Sequence, residues 1–238
     1  AGAHRVGEAV CALSDGGGYG PYGTAQSAQA LPVPAGGAWV TTAALHEAAP
    51  ISVDTRKASV AQAALDASAG LINDVSGFDF DPDLARLAAD AQVPVCLMHA
   101  QGVPATMQDD PRYDDVLLDV YDALAARVSR AEAAGIPRAR ILVDPGIGFG
   151  KTLDHNLAIL ARISLFHGLG CGILLGVSRK RFIGQVTGQV VARERMPGTL
   201  AVTLASVGQG VQMHRVKKMA ATVQGLAVWR AVTERTGR

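Results

Sequence analysis

Ile141-Leu142-Val143-Asp144-Pro145-Gly146-Ile147-Gly148-Phe149-Gly150-Lys151 is a short apolar run that ends on a carboxylate and breaks into glycines. Three large aliphatic residues in a row, without alternation, fit a strand buried on both faces, as in parallel sheets covered by helices. Helical spacing lies on both sides, from about Tyr113 to Ala134 and from about Asp154 to Phe166. Gly135 follows the first of these helices, where a left-handed closing residue is wanted. The local order is therefore helix, strand, helix.

Five further runs have the same form: Ile51-Ser52-Val53-Asp54, Leu71-Ile72-Asn73-Asp74, Val95-Cys96-Leu97-Met98-His99, Ile173-Leu174-Leu175-Gly176-Val177-Ser178 and Val211-Gln212-Met213-His214-Arg215. Helices are expected near Ala58 to Ala69, from Asp81-Pro82 to about Asp90, near Leu200 to Gln209, and from the last strand to about Thr233. Six β/α units in 238 residues predict an α/β chain folded as one domain over 1–238, a (β/α)8 TIM barrel with clear units from residue 51 onward. The first 50 residues must supply the other two units. Their only strand candidates, Arg5 to Val10 and Ala38 to Thr42, are separated by Gly16-Gly17-Gly18, Pro21, Pro32, Pro34 and Gly36-Gly37. Such punctuation reads as loop, so the first two units are expected to be degenerate or poorly ordered.

Composition narrows the function. With 22 basic and 21 acidic residues, the net charge of +1 gives no overall field for nucleic acid or an anionic membrane. No apolar stretch approaches the roughly 20 residues that span a bilayer, and the N-terminus lacks the order of a signal peptide. Cys11, Cys96 and Cys171 are scattered among small or apolar residues and read as buried hydrophobes of a reducing cytoplasm. No CxxC pair or His/Cys cluster has metal spacing.

Chemistry concentrates where the strands end. Gly148 to Thr152 imitates a P-loop ending in Gly-Lys-Thr, but the position required for its first glycine is Pro145, which has no N–H for a phosphate. What remains is a carboxylate at a strand tip and glycines that let backbone approach a flat ligand, with Phe149 able to cover it. Asp54, Asn73 and Asp144 all end strands, and a carboxylate there accepts two parallel N–H bonds from an amidine-like edge such as that of a pterin or guanine. Ser178-Arg179-Lys180 and Arg215 bring cations to two further tips, suited to an anion, an electron-rich carbonyl or an aromatic face.

These residues resemble the dihydropteroate synthase family. The matching segments are Ile51 to Thr55, Ile72 to Gly77, Leu97 to His99, Met107-Gln108, Asp144 to Lys151, His155-Asn156 and Ser178 to Gly184, in order and at family spacing. The resemblance implies a cytoplasmic, usually dimeric transferase of folate synthesis that binds small molecules rather than nucleic acid or membrane. It joins p-aminobenzoate to 6-hydroxymethyl-7,8-dihydropterin diphosphate, releases diphosphate, normally uses Mg²⁺ and is a sulfonamide target. By the same resemblance Asp54, Asn73 and Asp144 hold the pterin edge, and Met98, Phe149 and Gly176 line its pocket. Lys180 bonds the pterin carbonyl and ring nitrogen, Arg215 stacks over the ring, and Ser178 faces the aminobenzoate. Lys180, Arg215 and Lys217 are the catalytic candidates.

The resemblance departs in three places. Gly7 stands where the family's metal-binding Asn is expected, and only Ser14 to Gly17 match that loop. Of the second family loop only Gly36-Gly37 remain, and Arg215-Val216-Lys217-Lys218 replaces Arg-Val-His-Asp. A pterin-binding relative without catalysis is therefore the alternative, followed by a pterin-dependent methyltransferase domain, which lacks the Ser-Arg-Lys segment in this form.

Overall fold

Where two faces of a strand must both be buried, apolar residues occupy consecutive positions; all six runs form strands, the middle four buried throughout or nearly so, while the first is largely exposed and the last half-buried. The computed structural model describes residues 10–12, 30–32, 51–102, 107, 109–233 and 235. In chain order the parallel units are β3 (Ile51–Asp54), α1 (Ala58–Asp66), β4 (Ala69–Asp74), α2 (Asp83–Asp90), β5 (Val95–Met98), α3 (Val116–Ala133), β6 (Ile141–Asp144), α4 (Leu153–Ala161), β7 (Gly172–Leu175), α5 (Arg181–Thr187), α6 (Met196–Val207), β8 (Met213–His214) and α7 (Met219–Thr233). The strands pair side by side in sequence order, all parallel, with helices between them as in a β/α barrel wall.

Before them, β1 (Val10–Ala12) and β2 (Ala30–Pro32) pair antiparallel in a sheet of their own, Val10 opposite Pro32. No parallel strand is therefore described ahead of Ile51. The expected strands at Arg5 to Val10 and Ala38 to Thr42, and the loops at Gly7, Ser14 to Gly17 and Gly36-Gly37, lie outside the described residues except for Val10.

Several boundaries differ from expectation for local reasons. Helix α1 stops at Asp66 rather than near Ala69, because Ser68 turns with a positive φ of 71° and Ala69 already enters β4. Helix α3 starts at Val116, not Tyr113, because the Asp115 carboxylate caps it by accepting the N–H groups of Leu117 and Leu118. The helix expected to reach Phe166 ends at Ala161 and continues as a 3₁₀ segment, Ile163–Leu169. Helix α5 has no counterpart in the sequence expectation. Its stop signal is Gly188, in the left-handed region with φ 73°.

The strands sort their side chains by a period of two. Ile72, Val95, Leu97, Ile141, Val143, Ile173 and Leu175 point outward into one core with the helices, including Leu124 and Val128 of α3 and Ile159 of α4. Leu71, Cys96, Leu142 and Leu174, with Met213 against them, form a second, inner cluster. Cys96 and Cys171 are buried thiols, as expected of small hydrophobes. Among the described residues no helix is long and apolar enough to cross a membrane.

His214 faces outward from β8 toward α6. The Ser206 hydroxyl gives its proton to the Thr203 carbonyl at 2.8 Å, so the His214 Nε2–H donates to Ser206 Oγ at 2.9 Å. Burial pushes the His214 imidazole down to about 4. A histidine depressed below its unfolded value makes the unfolded state the better proton binder between those two values, so stability falls as pH drops from about 6.5 toward 4, by up to about 1.4 kcal/mol per pH unit. His214→Gln keeps a donor for Ser206 but cannot titrate. Urea unfolding at pH of about 6.5 and about 4.5 is expected to show wild type losing about 2 kcal/mol more than this variant.

Candidate functional site

One step above the inner apolar cluster, the same alternation brings Asp54, Asn73, Met98 and Asp144 to the inner face at the strand tips, with Asp54 opposite Asn73 and Met98 opposite Asp144. Gly176 and Arg215 continue the layer just past β7 and β8, where the Arg215 N–H still donates to the Leu175 carbonyl at 2.9 Å. The Arg215 guanidinium reaches across to β3, its Nη2 3.7 Å from Asp54 Oδ2. With side chains 62% and 47% exposed, this pair contributes well under about 1 kcal/mol and is free to open for a ligand. Burial nevertheless raises the Asp54 carboxyl, with Arg215 and then the Asn73 amide opposing the shift. Asn73 Oδ1 is buried with no hydrogen-bond partner among the described residues. An unsatisfied buried acceptor costs roughly 1–3 kcal/mol, so it marks a place where a ligand N–H would be welcome.

The β6–α4 loop closes over this layer. Asp144 is buried, and its Oδ1 accepts the Gly146 N–H at 2.8 Å, which leaves Oδ2 for a ligand. Burial raises its pKa, while Lys180, the Gly146 N–H, Lys151 and Arg215 pull it down. Lys180 donates to the Ile147 carbonyl, and its ammonium stands 4.7 Å from the centre of the Phe149 ring. Burial brings the Lys180 amine down to about 8, against the pull of Asp144. The loop's tightness demands glycine. Gly146 has φ +70°, and an added Cβ would fall 1.8 Å from the His99 carbonyl oxygen.

Ser178 and Lys217 meet through the backbone. The Lys217 N–H donates to Ser178 Oγ at 3.1 Å, and the Lys217 side chain stands exposed at the rim. The turn through Arg179, with φ 60°, is held by α6 and the residue before it: Thr199 Oγ accepts the Arg179 N–H at 3.1 Å, and Arg195 Nη1 donates to the Arg179 carbonyl at 3.1 Å. The structure thus gathers every sequence-proposed site residue at one end of the sheet, with Lys217 the most peripheral. Among the described residues no three His, Cys, Asp or Glu side chains converge to hold a metal ion. A depression of about 510 Å³ lined by Pro111, Arg112, Tyr113, Asp114, Asp119 and His155 lies outside the layer, beside the start of α4.

Three buried polar residues escape a reading of the sequence alone. Asp74 points away from the site and organises its own loop, accepting Ser76 N–H at 2.8 Å, Ser76 Oγ–H at 2.6 Å and Phe78 N–H at 2.7 Å. Arg127 reaches from α3 to the tip of β5, donating to the Met98 carbonyl at 2.7 Å and to Asp79 Oδ2 at 3.0 Å. It carries a visible signal, since it interrupts the apolar face Val120, Leu124, Val128, Ala131. Lys151, the lysine of the rejected P-loop, is buried beneath the glycine loop.

The geometry now has a counterpart in known proteins. The family model described as "Pterin binding enzyme" matches residues 39–217. The chain belongs to the pterin-binding enzyme family. Dihydropteroate synthase of Neisseria meningitidis serogroup B is 44% identical over 188 residues, covering 77% of this chain and 66% of that protein. The dihydropteroate synthase of Thermus thermophilus, solved in complex with 6HMPPP, is 42% identical with a TM-score of 0.74, covering 78% of this chain and 73% of that one. That of Xanthomonas albilineans, in complex with 7,8-dihydropteroate, is 43% identical with a TM-score of 0.72, covering 78% and 67%. These likenesses make the fold that of the dihydropteroate synthase barrels. The chain spans 62 to 66% of the length of the first curated relatives it matches.

Gly146→Ala tests the loop packing. Its side chain meets backbone and an unfavourable φ together, so a loss of about 3 kcal/mol or more is expected in denaturant unfolding. A loss under about 1 kcal/mol would contradict the tight approach to His99.

Proposed function

We propose that this chain carries out dihydropteroate synthesis: it binds 6-hydroxymethyl-7,8-dihydropterin diphosphate and p-aminobenzoate and joins them with release of diphosphate. The observation that carries the reading is the inner layer itself: a buried carboxylate at Asp144 with Lys180 near it, and, on the strand beyond β5, an amide oxygen at Asn73 without a partner among the described residues. Two acceptors and one donor in one layer are complementary to the amino, ring N–H and carbonyl edge of a pterin. The relatives solved with 6HMPPP and with 7,8-dihydropteroate support the same ligand class.

In this reading Asp144, Asn73 and Asp54 hold the amino-pyrimidine edge, and Lys180 donates to the carbonyl and ring nitrogen. Met98 and Phe149 wall the ring, Gly176 keeps space beside it, and Arg215 leaves Asp54 to lie over its face. The bond that breaks joins the pterin methylene to the diphosphate oxygen, which departs with the electron pair. The aniline nitrogen attacks the same methylene and then loses its proton. Positive charge develops on the methylene and negative charge on the leaving group, so holding the ring and neutralising diphosphate matter more than a general base. Arg215 and Lys217 are the cations at that rim, and Ser178 faces the aminobenzoate. A Mg²⁺ requirement, sulfonamide binding, a homodimer using α7, where Val228 and Val232 are exposed, and a cytoplasmic location complete the proposal.

Diphosphate release is the direct test, measured with both substrates and Mg²⁺. Turnover dependent on p-aminobenzoate is expected. Pterin binding without turnover would instead favour a non-catalytic relative. Asp144→Asn replaces an acceptor oxygen by a donor facing the ligand's N–H groups, and a loss of about 2–4 kcal/mol in pterin binding is expected by calorimetry. Unchanged affinity would remove Asp144 from the site.

A further inference from the structure

Lys151 is a lysine with only 3% of its surface exposed, in a loop whose neighbours face the site. An ammonium has three N–H bonds and no acceptor capacity, so a buried one is tolerated only when all three are used. Here they are. Nζ lies 2.9 Å from His99 Nδ1, 3.1 Å from the Gly146 carbonyl and 3.1 Å from the Phe149 carbonyl. His99 is held neutral, brought down to about 3 by burial and by the Lys151 and Arg127 charges, and facing an ammonium that can only donate, its Nδ1 is the accepting ring nitrogen.

The three acceptors belong to two different strand tips. His99 follows β5 directly, while Gly146 and Phe149 bracket the turn after β6, closed by the Phe149 N–H to Gly146 carbonyl bond of 3.0 Å. That turn carries three contacts to the candidate site: the Gly146 N–H on Asp144, the Ile147 carbonyl on Lys180, and the Phe149 ring beneath the Lys180 ammonium. Lys151 bonds to none of the inner-layer side chains. It fixes the backbone that aims them.

We propose that Lys151 is a positioning residue for the pterin half of the site, clamping the Gly146–Phe149 turn to the tip of β5 so that Asp144 and Lys180 stand at the separation that a pterin edge requires. The inference rests on the proposed dihydropteroate synthesis and adds a residue to it. It also separates the two substrates: the Ser178–Lys217 bond involves neither Lys151 nor its three acceptors, so the aminobenzoate side depends less on the clamp.

Lys151→Met keeps the length of the side chain and removes its three donors. With 6-hydroxymethylpterin as the calorimetric probe, binding at least about tenfold weaker than wild type is expected, the scale of one lost positioning contact. In the diphosphate-release assay KM for the pterin diphosphate should rise by at least about tenfold, while KM for p-aminobenzoate moves by less than about twofold. A residue that served folding alone would lower the amount of active protein, seen as kcat, and leave both KM values in place. Lys151→Gln, which retains two N–H donors for the carbonyls, should restore part of the affinity, and if the Met variant does not fold it carries the test with at least about threefold weakening. Wild-type affinity in a folded Lys151 variant would overturn the clamp alone. A wild-type chain that neither binds the pterin nor turns over would overturn the proposed function and the clamp with it.

Discussion

Alternation along buried parallel strands is the constraint on which the site depends. Because successive side chains leave opposite faces, a strand that places Val143 against α3 and α4 must turn Leu142 and Asp144 inward. The same holds for Ile72 with Leu71 and Asn73, and for Leu97 with Cys96 and Met98. The apolar inner cluster locks the register, since a slip of one residue would turn Leu71, Cys96 and Leu142 to the helices' side and drive Asn73 and Asp144 into the outer core. The position of the polar tips is therefore enforced by packing one step below them. Burying Leu71 and Leu142 contributes roughly 1.5–3 kcal/mol each, far more than the Arg215–Asp54 pair can.

The layer assembled this way is electrically costly without a ligand. Burial raises the Asp144 carboxyl and lowers the Lys180 and Lys151 amines, the latter to about 7. Each group is kept by local bonds instead: Asp144 by the Gly146 N–H, Lys180 by the Ile147 carbonyl, Lys151 by two carbonyls and His99. Among the described residues, such preorganisation leaves one buried acceptor, Asn73 Oδ1, and one side of Asp144 to be satisfied from outside. A ligand that supplies adjacent N–H donors gains twice, through its own bonds and through relief of those groups.

Much of this is legible in the sequence because it follows from local pattern. The runs at Ile51, Leu71, Val95, Ile141, Ile173 and Val211 yield strands in the right order, and their polar ends put Asp54, Asn73, Asp144 and Arg215 forward as candidate site residues at one end of the sheet. What pattern does not distinguish is direction. Asp74 and Asn73 are adjacent and both polar, yet only alternation assigns Asn73 to the mouth and Asp74 to its loop. Lys151 drops out of a motif-based reading because the P-loop around it fails, although a lysine among glycines after a buried strand has few places to go but under the loop. Arg127 requires knowing that the Met98 carbonyl at the tip of β5 lies within reach of α3, a long-range fact. Helix α5 is short and is hidden by the basic Ser178 to Arg181 segment, which reads equally well as a solvated loop.

Recognition of a pterin edge by the strand-tip layer as one surface is a property separate from turnover. A crystal structure of the protein with 6-hydroxymethylpterin tests it most directly. The ring is expected in the layer, with its amino and ring N–H groups within hydrogen-bond reach of Asp144 and Asn73, about 2.7–3.2 Å, and its carbonyl on Lys180. A pterin found instead in the depression beside Arg112, Tyr113 and His155, with the Asp54–Arg215 pair intact and Asn73 still unpartnered, would contradict that recognition.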